Sequence, residues 1–209
     1  MRTLVRTAAV LAVMASPLAA QGTAPAAPPA APVGQLVVPA ATQQIAAAVL
    51  ALPEGMRDGA RIWGYGPAGS FTELRAGSGP MTCIADDPHD NRFHVACYHN
   101  SMEPFMARGR ELRTQGVRQP ALDSIRKADV QAGRIHMPTM ASLYSLTGPA
   151  GSYDPATNTT HGANPLYVIY LPFATAESVG LSTRPVRAGQ PWMMHPGEPG
   201  AHVMMSPNM

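Results

Sequence analysis

Apolar residues recur at helical spacing from Thr42 to Leu52, where Ile45, Ala48, Val49 and Leu52 form one stripe ahead of Pro53. The spacing predicts a helix that starts near Ala41 or Thr42. Alternation takes over at Arg61–Tyr65 and Phe71–Arg75, which flank Gly66-Pro67-Ala68-Gly69 and read as a hairpin. Centred on Ala68, that hairpin pairs Tyr65 with Phe71, Trp63 with Glu73 and Arg61 with Arg75. Aromatic and charged side chains then share one face, and Ile62 and Leu74 the other. Two further β-like runs, Met81–Ala85 and Phe93–Tyr98, flank the polar turn DDPHDNR. Ser101–Gln115 returns to helical spacing, with Met102, Phe105, Met106 and Leu112 on one stripe, Asn100 or Ser101 as cap and Gly116 as stop. Pro120–Ala132 reads as a second helix, turning Leu122 and Ile125 inward and ending at Gly133.

The last third is β-rich. Met140–Leu146 is predicted as a strand, and the continuous apolar run Leu166–Leu171 as a central strand covered on both faces. Between them, Gly148–Pro165 is a long loop of Gly, Pro, Asn and Thr, of the kind that is usually functional or disordered. A short helix is expected at Thr175–Val179, before Gly180. Two last runs, Pro191–His195 and His202–Met205, surround the turn PGEPGA. Together these elements predict one α+β domain over residues 40–206, a mostly antiparallel sheet with two or three packed helices.

Residues 1–20, MRTLVRTAAVLAVMASPLAA, fit a secretory signal peptide: Arg2 and Arg6, an apolar stretch from Ala8 to Ala15, then Ser16-Pro17 before a small-residue site at Ala20. So short an apolar stretch falls well below the roughly 20 residues a membrane-crossing helix needs, so no transmembrane segment is expected. No cysteine lies near the cleavage site to carry a lipid anchor. Residues 21–34 are almost wholly Ala, Pro and Gly and place a flexible linker over 21–39. The chain has 209 residues, 13% of them charged, with 15 Lys+Arg against 13 Asp+Glu. Removing the first twenty residues takes away two arginines and leaves no net charge, which argues against a nucleic-acid partner.

Export gives the two cysteines a role. Pairing their runs as a hairpin centred near Asp90 brings Cys83 opposite Cys97, and a disulfide between them is expected in an oxidising compartment. No C-x-x-C spacing suggests redox activity.

Most letter matches to catalytic motifs lose their context. Gly64–Gly69 spells G-x-G-x-x-G, but a strand follows it where a dinucleotide site needs a helix. Ser124–Lys127 spells S-x-x-K, yet Lys127 is the only lysine, so the K-T-G partner is missing. Asp86, Asp87 and Asp90 lack EF-hand spacing and read as turn carboxylates. Asn158-Thr159-Thr160 has the spelling of a glycosylation acceptor. His94 and His99 fall on opposite faces of their strand, with His99 in phase with Val95 and Cys97. Arg108, Arg110 and Arg113, interleaved with Glu111, read as a solvated helix face. One constellation suggests chemistry. A hairpin turning over Pro196–Ala201 sets His195 opposite His202 and Met193 opposite Met204, gathering imidazoles and thioethers on one face. Such a set suits copper as Cu(I). Competing expectations are a non-enzymatic binding or envelope-associated module, and a hydrolase with a cleft near the long loop and His161.

The succession of FTELRAGSGPMTCIADDP, FHVACYHNSMEPFMARGRELRTQG, the β-run before ATAESVGL, and PWMMHPGEPGAHVMM resembles a group of uncharacterised exported bacterial proteins. It spans about Ile62 to Met205. The resemblance implies an exported single-domain protein, brings no activity with it, and does not require histidine at 195.

Overall fold

The computed structural model describes residues 37–207, and these lie within one compact unit, Leu36–Met209. The predicted signal peptide and most of the linker fall outside the described residues. Helix α1 (Ala41–Ala48) passes into a 3₁₀ turn (Val49–Ala51). Strands β1 (Arg61–Tyr65), β2 (Phe71–Arg75), β3 (Met81–Ile84) and β4 (Arg92–His99) follow, then α2 (Glu103–Thr114) and α3 (Ala121–Gln131). The last third contains β5 (Ala141–Pro149), β6 (Tyr153–Asp154), β7 (Thr159–Thr160), β8 (Asn164–Tyr170), α4 (Ala176–Val179), β9 (Trp192–Met194) and β10 (His202–Met205). Eight strands form one sheet in the order β2-β1-β3-β4-β5-β8-β10-β9, antiparallel throughout except for β1 beside β3. The architecture is the expected α+β fold.

The sheet buries a core on each face. On one face Ile62, Cys83, Val95 and Cys97 pack with Ala48, Val49 and Leu52 of the first helical segment. On the other, Tyr98 and Ala141 pack with Met102, Phe105 and Ile135 from the α2–α3 region. The β3–β4 pairing sets Cys83 opposite Cys97, and the two form a disulfide with both residues fully buried. Gln44 ties α1 to the end of β1: its Nε2 donates to the carbonyls of Pro39 and Tyr65, and its Oε1 accepts from the Tyr65 amide. A Cβ at Gly64 would stand 2.6 Å from that oxygen and 2.5 Å from Leu74, so this glycine makes room for packing. The G-x-G-x-x-G stretch is the β1–β2 turn, closed by the Gly66 amide donating to the Ser70 carbonyl.

Several local expectations change. Tyr65–Phe71 and Trp63–Glu73 pair as predicted, but a bulge between Ile62 and Trp63 sets Arg75 opposite Ile62 rather than Arg61. The Arg75 guanidinium then donates to the carbonyls of Ala60 and Arg57. His99, not Asn100 or Ser101, caps the turn into α2, its Nδ1 accepting from the Ser101 amide. The loop 148–165 is ordered around β6 and β7, and Tyr153 stacks on Phe93 at 6.4 Å. β8 is central in the sheet but not covered on both faces: only Val168 is buried, and Tyr167 is 37% exposed. Arg108 and Arg110 are structural ties rather than a solvated face. Arg108 bonds Asp129 and Glu111, and Arg110 bonds Glu103 and Tyr98 while lying over Trp63.

Candidate functional site

A cavity of about 180 Å³ opens where α3 meets the end of β8 and the β9–β10 turn. Helical spacing puts Asp123, Arg126 and Lys127 at i, i+3 and i+4, on the side of α3 that lines it. Arg126 is anchored twice: its guanidinium lies 4.1 Å over the Phe105 ring, and Nη2 donates to Asp123 Oδ1 at 2.7 Å. Lys127 reaches across the cavity, and its Nζ donates to Glu198 Oε1 at 3.0 Å, a link between residues 71 positions apart. Both side chains of that pair remain 42% exposed.

The opposite wall is a turn held in place by backbone bonds. The Gly197 amide donates to the Ala174 carbonyl, the Phe173 amide to the Glu198 carbonyl, and the Leu171 amide to the Ala201 carbonyl. His195 adopts a left-handed backbone with φ of 52°, a conformation that histidine takes infrequently and that cross-bonding of this kind can hold. The turn presents His195, Glu198 and His202 to the cavity, beside Tyr170 of β8. The His195 and His202 ring centres are 5.7 Å apart, and His202 lies 5.1 Å from Tyr170. His202 Nδ1 donates to the Gly200 carbonyl at 2.7 Å, which leaves its Nε2 as the free lone pair. Burial, chiefly, and nearby His195 hold the His202 pKa below the usual histidine value. Burial likewise raises Tyr170. The site thus combines two cations, two carboxylates, two imidazoles and a protonated phenol around a small space.

The predicted His/Met face does not form as drawn. Met194, not His195, stands opposite His202, and Met193 stands opposite Val203. A slip of one residue sends alternate side chains to opposite faces. Met193 is therefore fully buried on the far face, while Met204 shares the His202 face and stands opposite Trp192. The two histidines still meet, because the left-handed backbone at His195 ends the strand one residue early. Among the described residues, no three His, Cys, Asp or Glu side chains are grouped as a metal site.

Other candidates disperse. His161 is exposed on the ordered 148–165 hairpin, with Thr159 Oγ1 as its hydrogen-bond neighbour at 3.5 Å. Ser124 bonds back to the Pro120 carbonyl and does not line the cavity with Lys127. Asp87 accepts from the His89 amide, Asp90 from the Arg92 amide and Asp86 from the His94 amide, as turn carboxylates do. A wider hollow beside α2 is lined by Arg108, Asp129 and Arg134. There the Asp129 carboxylate is occupied by both arginines, whose hydrogen bonds lower its pKa. The cleft residues that sequence patterns missed are Asp123, Arg126, Lys127, Tyr170 and Glu198. The available signals were the solitary lysine and the i, i+3, i+4 spacing of Asp123, Arg126 and Lys127. Among the described residues no helix is long and apolar enough to cross a membrane. Comparison with known protein families, with curated proteins and with solved structures finds no match.

Proposed function

We propose that this chain is an exported binding module that takes a small zwitterionic molecule, of the size of a free amino acid, in the cleft between α3 and the β9–β10 turn. The Lys127–Glu198 pair bridging that cleft carries the reading. A molecule with one carboxylate and one ammonium group exchanges with this pair without leaving any charge unmatched: its carboxylate takes Lys127, and its ammonium takes Glu198. Opening the pair costs little, because exposed ion pairs contribute at most about 1 kcal/mol. Arg126 and Asp123 offer a second matched pair on the same wall. The cavity is smaller than the roughly 300 Å³ and more that drug-sized ligands occupy, which limits the ligand to a few heavy atoms. A signal-like start and a buried disulfide support export.

Thermal unfolding in the presence of individual free L-amino acids tests this reading. A ligand at about a hundred times its Kd adds about 2.7 kcal/mol, which raises the midpoint by roughly 5–10 °C in a domain of this size. At least one amino acid is expected to do so, and Lys127→Ala and Glu198→Gln are each expected to abolish the shift. A chain whose midpoint responds to no amino acid, or whose response survives both substitutions, contradicts it.

A further inference from the structure

We propose that His195 and His202 together bind one divalent transition-metal ion of borderline softness, such as Zn(II), Ni(II) or Cu(II), through their Nε2 atoms. The inference rests on the cleft described above, but not on the identity of its small ligand.

Three observations support it. The first is distance. With metal–nitrogen bonds of about 2.0–2.1 Å, an imidazole centre lies about 3.2 Å from the ion, and two such rings at a tetrahedral angle sit about 5.2 Å apart. The His195 and His202 centres are 5.7 Å apart, so a shift of half an ångström brings them into register. The second is orientation. Metal-bound histidines hold their other ring nitrogen against a carbonyl or carboxylate oxygen. His202 Nδ1 donates to the Gly200 carbonyl at 2.7 Å, and His195 Nδ1 faces Glu198 Oε2 at 3.9 Å. His202 therefore keeps Nε2 for a ligand, while the 3.9 Å gap at His195 is too long for a hydrogen bond and leaves its ring free to turn toward the metal. The third is donor type. The cavity lining offers the two imidazoles but no methionine, since Met193 is buried on the far face and Met194 and Met204, which share the His202 face, do not line it. Imidazole nitrogen suits borderline divalent ions such as Zn(II), Ni(II) and Cu(II). Two protein ligands leave the remaining coordination positions to water, or to a carboxylate entering the cleft from solution.

The chain has seven histidines, so the test must separate this pair from the others. Untagged, whole-length protein is titrated with Zn(II) against a chromophoric chelator, and its Cu(II) form is examined by electron paramagnetic resonance. One equivalent of zinc is expected, with hyperfine coupling to two imidazole nitrogens in the copper form. His195→Gln and His202→Gln should each weaken zinc binding about tenfold or more, with thermal unfolding confirming that both variants fold. Met193→Leu, buried on the far face of the sheet, should leave zinc binding unchanged. Absence of stoichiometric binding, or binding unchanged in the double histidine variant, overturns the inference. Zinc failing to bind while an amino acid still binds overturns this inference alone. Zinc bound by a chain that takes no amino acid upholds it and removes the preceding reading.

Discussion

Burial acts on His202 and Asp86 in ways that give pH dependences of opposite sign. The His202 pKa is held low by burial, so the unfolded chain binds its proton more readily than the folded one. Its contribution is complete above the ordinary histidine value of about 6.5 and is lost as pH falls below it. His94, also lowered by burial, acts in the same direction. His202→Gln should therefore reduce, without abolishing, the drop in urea midpoint between about pH 6.5 and 5. A drop of unchanged size would show that His202 is no more buried than an ordinary surface histidine. Asp86 is the converse: burial pushes its pKa up to about 6, against the bond from the His94 amide. A carboxyl raised in this way favours the fold while protonated, and that advantage is lost as pH rises from about 4 toward 6. Asp86→Asn keeps the acceptor and removes the charge. It should raise the urea midpoint at pH 8 and leave it unchanged at pH 4; an equal gain at both would contradict the assignment.

Among the elements, the β3–β4 hairpin owes most to its covalent link. Closing a loop of about 15 residues contributes about 3 kcal/mol in the chain-entropy model, so Cys83→Ala/Cys97→Ala should lower the thermal midpoint by roughly 6–12 °C. Differential scanning calorimetry reads this directly, and an unchanged midpoint would mean the loop is ordered without its link. The 148–165 hairpin depends on close approach instead. A Cβ at Gly148 would lie 2.3 Å from Ser152 Oγ and 3.1 Å from the Gly162 carbonyl oxygen. Gly148→Ala should cost about 1–3 kcal/mol in urea unfolding, as overpacking does. A neutral result would show that the hairpin lifts away freely. The two hairpins also show what sequence patterns can carry. The Asp90 turn lies symmetrically between two β-like runs, so centring it gave the cysteine register correctly. At the β9–β10 turn, His195 takes a backbone conformation that its residue type does not favour, and centring erred by one residue. The bulge at Ile62 misplaced Arg75 for a similar reason: no residue there advertises it. The apolar run of β8 pointed to its central place in the sheet, but a run cannot state whether helices reach both faces.

For the whole molecule, the cleft lies beyond what local patterns express. Lys127 and Glu198 meet across 71 positions, and their pairing needs the sheet order that brings β10 beside β8, with α3 lying by its end. Residue spacing made only half of this visible: Asp123, Arg126 and Lys127 share one helix side, but nothing in that helix names the turn opposite. Composition speaks to the molecule at the same scale. The net charge of +2 resides in the first twenty residues, so an exported chain cleaved after Ala20 carries none. N-terminal sequencing of protein recovered from the medium or envelope should begin at Gln21; recovery of Met1 there would contradict signal cleavage. The central claim is the cleft itself. Backbone amide NMR shifts on addition of free L-amino acids test it most directly. Changes concentrated at residues 123–127, at Tyr170 and over 195–202 are the predicted result; no change at saturating concentration, or changes gathered at the Trp63–Phe71 end of the sheet, would contradict it.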